Sequence, residues 1–149
     1  MGGYLNPGST AFQGSLRSQI YIDKSGLIEK TNTVLGTEQK YVCVSRPRRF
    51  GKSMAANMLA AYYDRDCDTK EFFDKLKISQ SEEYLKHLNQ YDVLKINMQE
   101  FLSRSSNVKE LLERVEGKVI RELKKQYPDV ELYDENDLAE TMQDIFAES

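Results

Sequence analysis

Tryptophan is absent from this chain of 149 residues, histidine occurs once, cysteine twice and proline three times. Each shortage narrows the possible chemistry. The single histidine, His87, has no cysteine or second histidine at ligand spacing, so it reads as a structural residue rather than a metal ligand. Cys43 falls in a short apolar run and Cys67 in the polar turn Asp64-Arg65-Asp66-Cys67-Asp68. A buried small hydrophobe and an incidental loop thiol account for them better than a disulfide, and the expected compartment is the cytoplasm. No apolar run approaches the ~20 residues that a membrane helix needs. The opening Met-Gly-Gly-Tyr-Leu-Asn-Pro-Gly has neither the basic nor the apolar stretch of a secretory signal. A strong charge of one sign is missing too. Lys plus Arg number 21 against 24 for Asp plus Glu, a net charge of −3, so the whole chain carries no push towards nucleic acid.

What is present is concentrated in Lys40 to Tyr63, KYVCVSRPRRFGKSMAANMLAAYY. An apolar, β-branched run is followed by a basic loop, then Gly51-Lys52-Ser53, then a helical pattern. Strand, loop and helix in that order are the context that a phosphate-binding loop requires. Gly51 allows close backbone approach, and the N–H groups around Phe50 to Ser53 can converge on phosphate oxygens. Lys52 would meet the β/γ-phosphates, the Ser53 hydroxyl would bind Mg²⁺, and the helix would add the positive end of its dipole. Arg48 or Arg49 would add charge. One position departs from G-x-x-x-x-G-K-[ST]: the first glycine is replaced by Arg46, with Pro47 after it. The bland alternative is a helix N-terminus that happens to contain Gly-Lys-Ser.

SRPRRFGKSM, Ser45 to Met54, resembles the loop of the bacterial and archaeal AAA-ATPase-like family, which lacks the first loop glycine in the same way. Tyr4 to Gly8, Tyr21 to Ile28, Phe72-Phe73 with Leu76 to Ile78, and Tyr91 to Met98 extend the resemblance over about residues 3–102. It implies an α/β fold, a P-loop NTPase-like three-layer domain with a parallel sheet flanked by helices, here in incomplete form. Residues 1–39 would be the family's N-terminal extension, 40–102 the P-loop core and 103–149 a helical segment. The cofactors implied are ATP and Mg²⁺. The expected nucleotide contacts are Arg46, Pro47, Arg48, Arg49, Phe50, Gly51, Lys52, Ser53 and Met54, with Ser53 on the metal. The resemblance also singles out Asp23-Lys24, although an acid at a helix N-terminus explains Asp23 equally well. Members often carry a PD-(D/E)XK nuclease-like domain, and a further C-terminal part of the same protein is an implied partner.

The family's second nucleotide motif, a buried strand ending in Asp-Glu, is not found. Asp134-Glu135 is the one Asp-Glu pair, but Glu131 would then sit in a strand covered on both faces, where an unpaired carboxylate is costly. Hydrolysis by this chain alone is therefore not expected, although the resemblance implies an ATPase. Two other functions remain open: a nucleic-acid or polyanion binder using Arg46, Arg48 and Arg49, and a ligand-free interaction domain.

Periodicity fills in the rest. Strands are expected at Ile20 to Asp23, Lys40 to Ser45 and Val93 to Met98, the last two parallel and joined by a right-handed crossover. Helices are expected from Ser25 to about Leu35, from Gly51 or Lys52 to about Tyr63, over Ser81 to Leu88, from Asn107 to Pro128, and over about Glu135 to Ala147. Ala55, Met58, Leu59 and Tyr62 make one stripe, and Val108, Leu111, Leu112, Val115, Val119 and Leu123 another.

Overall fold

The computed structural model describes residues 2–148. These fall into two compact units, one formed by Asn6–Lys95 and the other by Gly2–Leu5 with residues 96–148.

The first unit is organised around α3 (Lys52–Tyr63), whose alanine-rich sequence holds neither glycine nor proline to interrupt it. Met58, Ala61 and Tyr62 are buried on it and meet Phe12 of α1 (Thr10–Leu16), Ile28 of α2 (Gly26–Val34) and Phe73 of α4 (Lys70–Phe73). The Phe12 and Phe73 rings stack at 4.7 Å, and Tyr62 meets Phe73 edge-on at 5.4 Å. A 3₁₀ turn at Lys77–Gln80 and α5 (Tyr84–His87) close the core with Ile78, Tyr84 and Leu88. Polar groups drawn into this core are matched. The Asn32 amide donates to the Tyr62 hydroxyl at 3.1 Å, which donates to the Tyr84 carbonyl at 2.6 Å, and Tyr63 donates to Asn32 at 2.6 Å. Burial pushes the Tyr63 phenol up to about 12. At the C-terminus of α3, Asn89 adopts the left-handed conformation (φ +55°), and its amide donates to the carbonyls of Ala61, Tyr62 and Asp64. Those are carbonyls that a helix end leaves unpaired.

In the second unit, α7 (Val108–Gln126) starts at Asn107, whose Oδ1 accepts from the Glu110 N–H at 2.9 Å. Leu111, Val115, Val119 and Leu123 are buried, and Pro128 follows the end of the helix. α6 (Met98–Leu102) contributes Phe101, and α8 (Leu138–Glu148) contributes Ile145. The Glu122 carboxylate accepts the N–H groups of Gly3, Tyr4 and Leu5 at 2.8–2.9 Å, which fixes the N-terminal segment within this unit.

The expected α/β architecture is not found. Among the described residues no sheet forms, so the three-layer P-loop domain with a parallel sheet does not describe this chain. Residues 41–47 carry no regular structure, and Tyr41 and Val44 are 86% and 45% exposed. Val93 to Met98 is equally without a ladder, and Met98 opens α6. Strand pairing is reduced to isolated bridges, among them a parallel one between Asp64 and Tyr91, and the Asn6 backbone and side chain are bonded to the Val93 backbone, each at 2.8 Å. Ile20 to Asp23 forms no strand: Ile20 lies in a bend and residues 21–23 carry no regular structure. The physical reason is that an apolar, β-branched run specifies only one edge of a ladder, and no second strand is supplied here to bond it. Cys43 is exposed as a consequence, against its expected burial.

Candidate functional site

The basic loop is shaped by two left-handed residues. Arg49 has φ +67° and Gly51 φ +80°, and between them the chain turns through Phe50 into α3. Glycine accepts that conformation readily, whereas at Arg49 it costs roughly 1–2 kcal/mol, a strain that the surrounding bonds must hold. Two ammonium groups do so from opposite ends. Lys52 Nζ donates to the Arg46 carbonyl at 2.6 Å, and Lys24 Nζ donates to the Phe50 carbonyl at 2.9 Å. A Cβ at Gly51 would lie 2.9 Å from Lys24 Nζ, so the glycine also makes room for that ammonium.

The first intrahelical bond of α3 runs from the Ala55 N–H to the Gly51 carbonyl at 2.9 Å. The N–H groups of Lys52, Ser53 and Met54 precede it, and no side chain caps this helix end. Ser53 is exposed in the same turn. Among the described residues, none of Lys24, Arg46, Arg48, Arg49 and Lys52 makes an ion pair with a carboxylate. Five cations left unneutralised beside open helix donors make a locally positive surface on a chain of net charge −3.

A cavity of about 350 Å³ opens beside Phe50 and Gly51, floored by Met58 and walled by Ile20, Tyr21, Ile22 and Met54. Ile20, Ile22, Phe50 and Met54 are all substantially exposed there. Partial burial, then the Asp23 charge, raises the Tyr21 phenol. A second hollow of about 420 Å³ lies along Arg46, Lys52 and Val44.

Asp23 itself turns away from the loop. Its two oxygens accept the backbone N–H groups of Ser25 and Lys77, each at 2.8 Å, and buried Ser25 accepts the Ile78 N–H at 3.1 Å. Partial burial pushes this carboxyl up, but the Ser25 and Lys77 hydrogen bonds and the Lys77 charge outweigh it and hold it below its ordinary value. The expected helix-end acid is thus an anchor that ties the start of α2 to the 3₁₀ turn. Lys24, not Asp23, reaches the loop. Sequence spacing gave no signal for that contact across 26 positions, nor for the apolar cavity around Tyr21.

The Asp134-Glu135 pair lies in an exposed turn of the second unit, where Asp134 accepts the Asn136 N–H at 2.9 Å and Glu135 pairs with Lys124 at 2.8 Å. His87 is buried between the Tyr91 hydroxyl at 2.6 Å and Glu83 at 3.2 Å. No group of three His, Cys, Asp or Glu residues that could hold a metal ion occurs among the described residues. None of the described helices is long and apolar enough to cross a membrane.

A family model described as Predicted AAA-ATPase matches residues 11–149. The chain belongs to that family. The match takes in the helical residues beyond 102, where no motif had been legible, and begins after the Tyr4 to Gly8 segment. Membership implies nucleotide binding in general. The comparisons with curated proteins and with solved structures each found no match.

Proposed function

We propose that this chain binds ATP with Mg²⁺ through the loop from Arg46 to Met54. The observation that carries the reading is the loop's combination of unneutralised cations and open N–H donors at the start of α3, held in a turn that requires Gly51. Lys52 would exchange the neutral Arg46 carbonyl for the β/γ-phosphates, a charged and stronger acceptor. Arg46, Arg48 and Arg49 would add charge, and the backbone from Pro47 to Ser53 would line the phosphates. The apolar cavity beside Phe50 and Gly51 suits the base, with Tyr21 as the aromatic wall. Ser53 alone is a poor Mg²⁺ ligand. Mg²⁺ takes oxygen donors from phosphates and water, so it would arrive with the nucleotide and add the Ser53 hydroxyl. The proposal stops at binding, because among the described residues no carboxylate is seen to pair with the loop's cations where it could hold the metal and the attacking water.

Isothermal calorimetry with ATP and Mg²⁺ tests the reading. Lys52→Ala removes a charge-assisted contact worth ~1.5–3 kcal/mol, so affinity should fall tenfold or more. An unchanged affinity would sink it. The exposed, unpaired arginines favour one other reading, a polyanion site. Binding of a single-stranded oligonucleotide that weakens steeply with salt, with no binding of ATP, would select it instead.

A further inference from the structure

We infer that Lys24 is a second phosphate-binding ammonium of this site, working opposite Lys52; the inference rests on the reading that the loop takes phosphate. Its backbone is fixed from both sides, by Asp23 on the N–H groups of Ser25 and Lys77 and by buried Ser25 on the Ile78 N–H. From that fixed point the side chain crosses to the loop, and its Nζ donates to the Phe50 carbonyl at 2.9 Å. The same nitrogen stands 2.9 Å from the position a Gly51 Cβ would take, directly beside the peptide that opens α3. An ammonium has three donors, and the Phe50 carbonyl uses one. The adjacent carboxylate, Asp23, is committed to backbone N–H groups and makes no ion pair with it.

The two lysines therefore occupy equivalent states at the two ends of the loop. Each ammonium bonds a neutral carbonyl, Arg46 for Lys52 and Phe50 for Lys24, and each is without a carboxylate partner. A phosphate at the start of α3 would draw both across, because a charged acceptor binds an ammonium more strongly than a carbonyl does. A purely structural latch would need no charge. A neutral donor of similar length would serve it, and a cation placed beside four other unpaired ones is repelled by them. An incoming phosphate reverses that repulsion.

Lys24→Met keeps the apolar stem and removes the charge. Calorimetry on the full chain should show a tenfold or greater loss of affinity both for ATP with Mg²⁺ and for inorganic tripolyphosphate with Mg²⁺, and Lys24→Arg should recover most of it. Raising salt from about 0.1 M to about 1 M shortens the screening length from ~10 Å to ~3 Å, so the gap between wild type and Lys24→Met should narrow. Unchanged affinity in Lys24→Met, or a gap that salt does not alter, would reduce Lys24 to a latch on the Phe50 carbonyl and overturn the inference. Lys52→Ala in the same series separates the two readings. If Lys52→Ala weakens binding and Lys24→Met does not, only the role of Lys24 fails. If neither does, the loop reading fails with it. Thermal unfolding confirms that each variant is folded, and Lys24→Gln replaces Lys24→Met should the latter not fold.

Discussion

Acid should weaken the anchor that the Asp23 carboxylate makes between the start of α2 and the 3₁₀ turn. Its two oxygens hold the N–H groups of Ser25 and Lys77, and these bonds keep its carboxyl below the ordinary value. A carboxyl depressed in the folded state stabilises the fold above its unfolded pKa, near 3.9, and that contribution disappears as pH falls through the lower folded value. Asp23→Asn would offer one oxygen and one amide, so one of the two N–H groups would face a donor. The variant should be less stable than wild type at neutral pH, with the difference narrowing as pH drops below about 4. Urea midpoints measured from neutral to acid pH check this, and parallel profiles for the two proteins would refute it. The residue scale also separates what the sequence could tell from what it could not. Gly51, Lys52 and Ser53 are legible because a phosphate loop places them consecutively. Lys24 and Tyr21 fall in a segment that the family resemblance covers, and it singles out Lys24, but their place beside the loop is not legible, because tertiary packing brings them there from 26 or more positions away and no periodicity marks them.

At the scale of elements, α2, α3, α5, α7 and α8 were readable, whereas α1, α6 and the absence of strands were not. α3 and α7 each carry their own stripe, their own hydrogen bonds and, at Asn107, their own cap, so local sequence decides them. Gly36, at φ +73°, ends the α2 region, whose expected limit was about Leu35. Tyr41 to Val44 has strand composition, but a strand's hydrogen bonds belong to its neighbour, and nothing in the segment's own sequence reports whether a neighbour is present. The same holds for Val93 to Met98, whose last residue, Met98, is taken into α6. A direct consequence is measurable by amide hydrogen exchange. The N–H groups of residues 41–45 are exposed and unpaired, so they should exchange near the unprotected rate, while Met58 to Tyr62 on buried α3 should be slowed by orders of magnitude. Strong protection across residues 41–45 in the free chain would restore a paired strand there.

On the scale of the whole molecule, binding and turnover make different demands. A loop and a helix end can hold phosphates by position and charge alone, and both are in place. Transfer of the γ-phosphoryl group to water also needs a group that orients the water and acids that hold the metal's other side. The candidates are already engaged. Asp23 is bonded by two N–H groups, and Asp92 accepts from Asn6 at 2.8 Å and pairs with Arg65 at 3.2 Å. Asp134 accepts the Asn136 N–H, and Glu135 pairs with Lys124 in an exposed turn. Asn97 is neutral and accepts from the Gln99 N–H as the cap of α6, so it cannot serve as a base. The purified 149-residue chain should therefore release phosphate from ATP with Mg²⁺ no faster than a mock preparation. Steady turnover that is abolished by Asp134→Asn with Glu135→Gln, yet retained in Asn97→Ala, would overturn this expectation and make the exposed acidic turn part of the catalytic machinery.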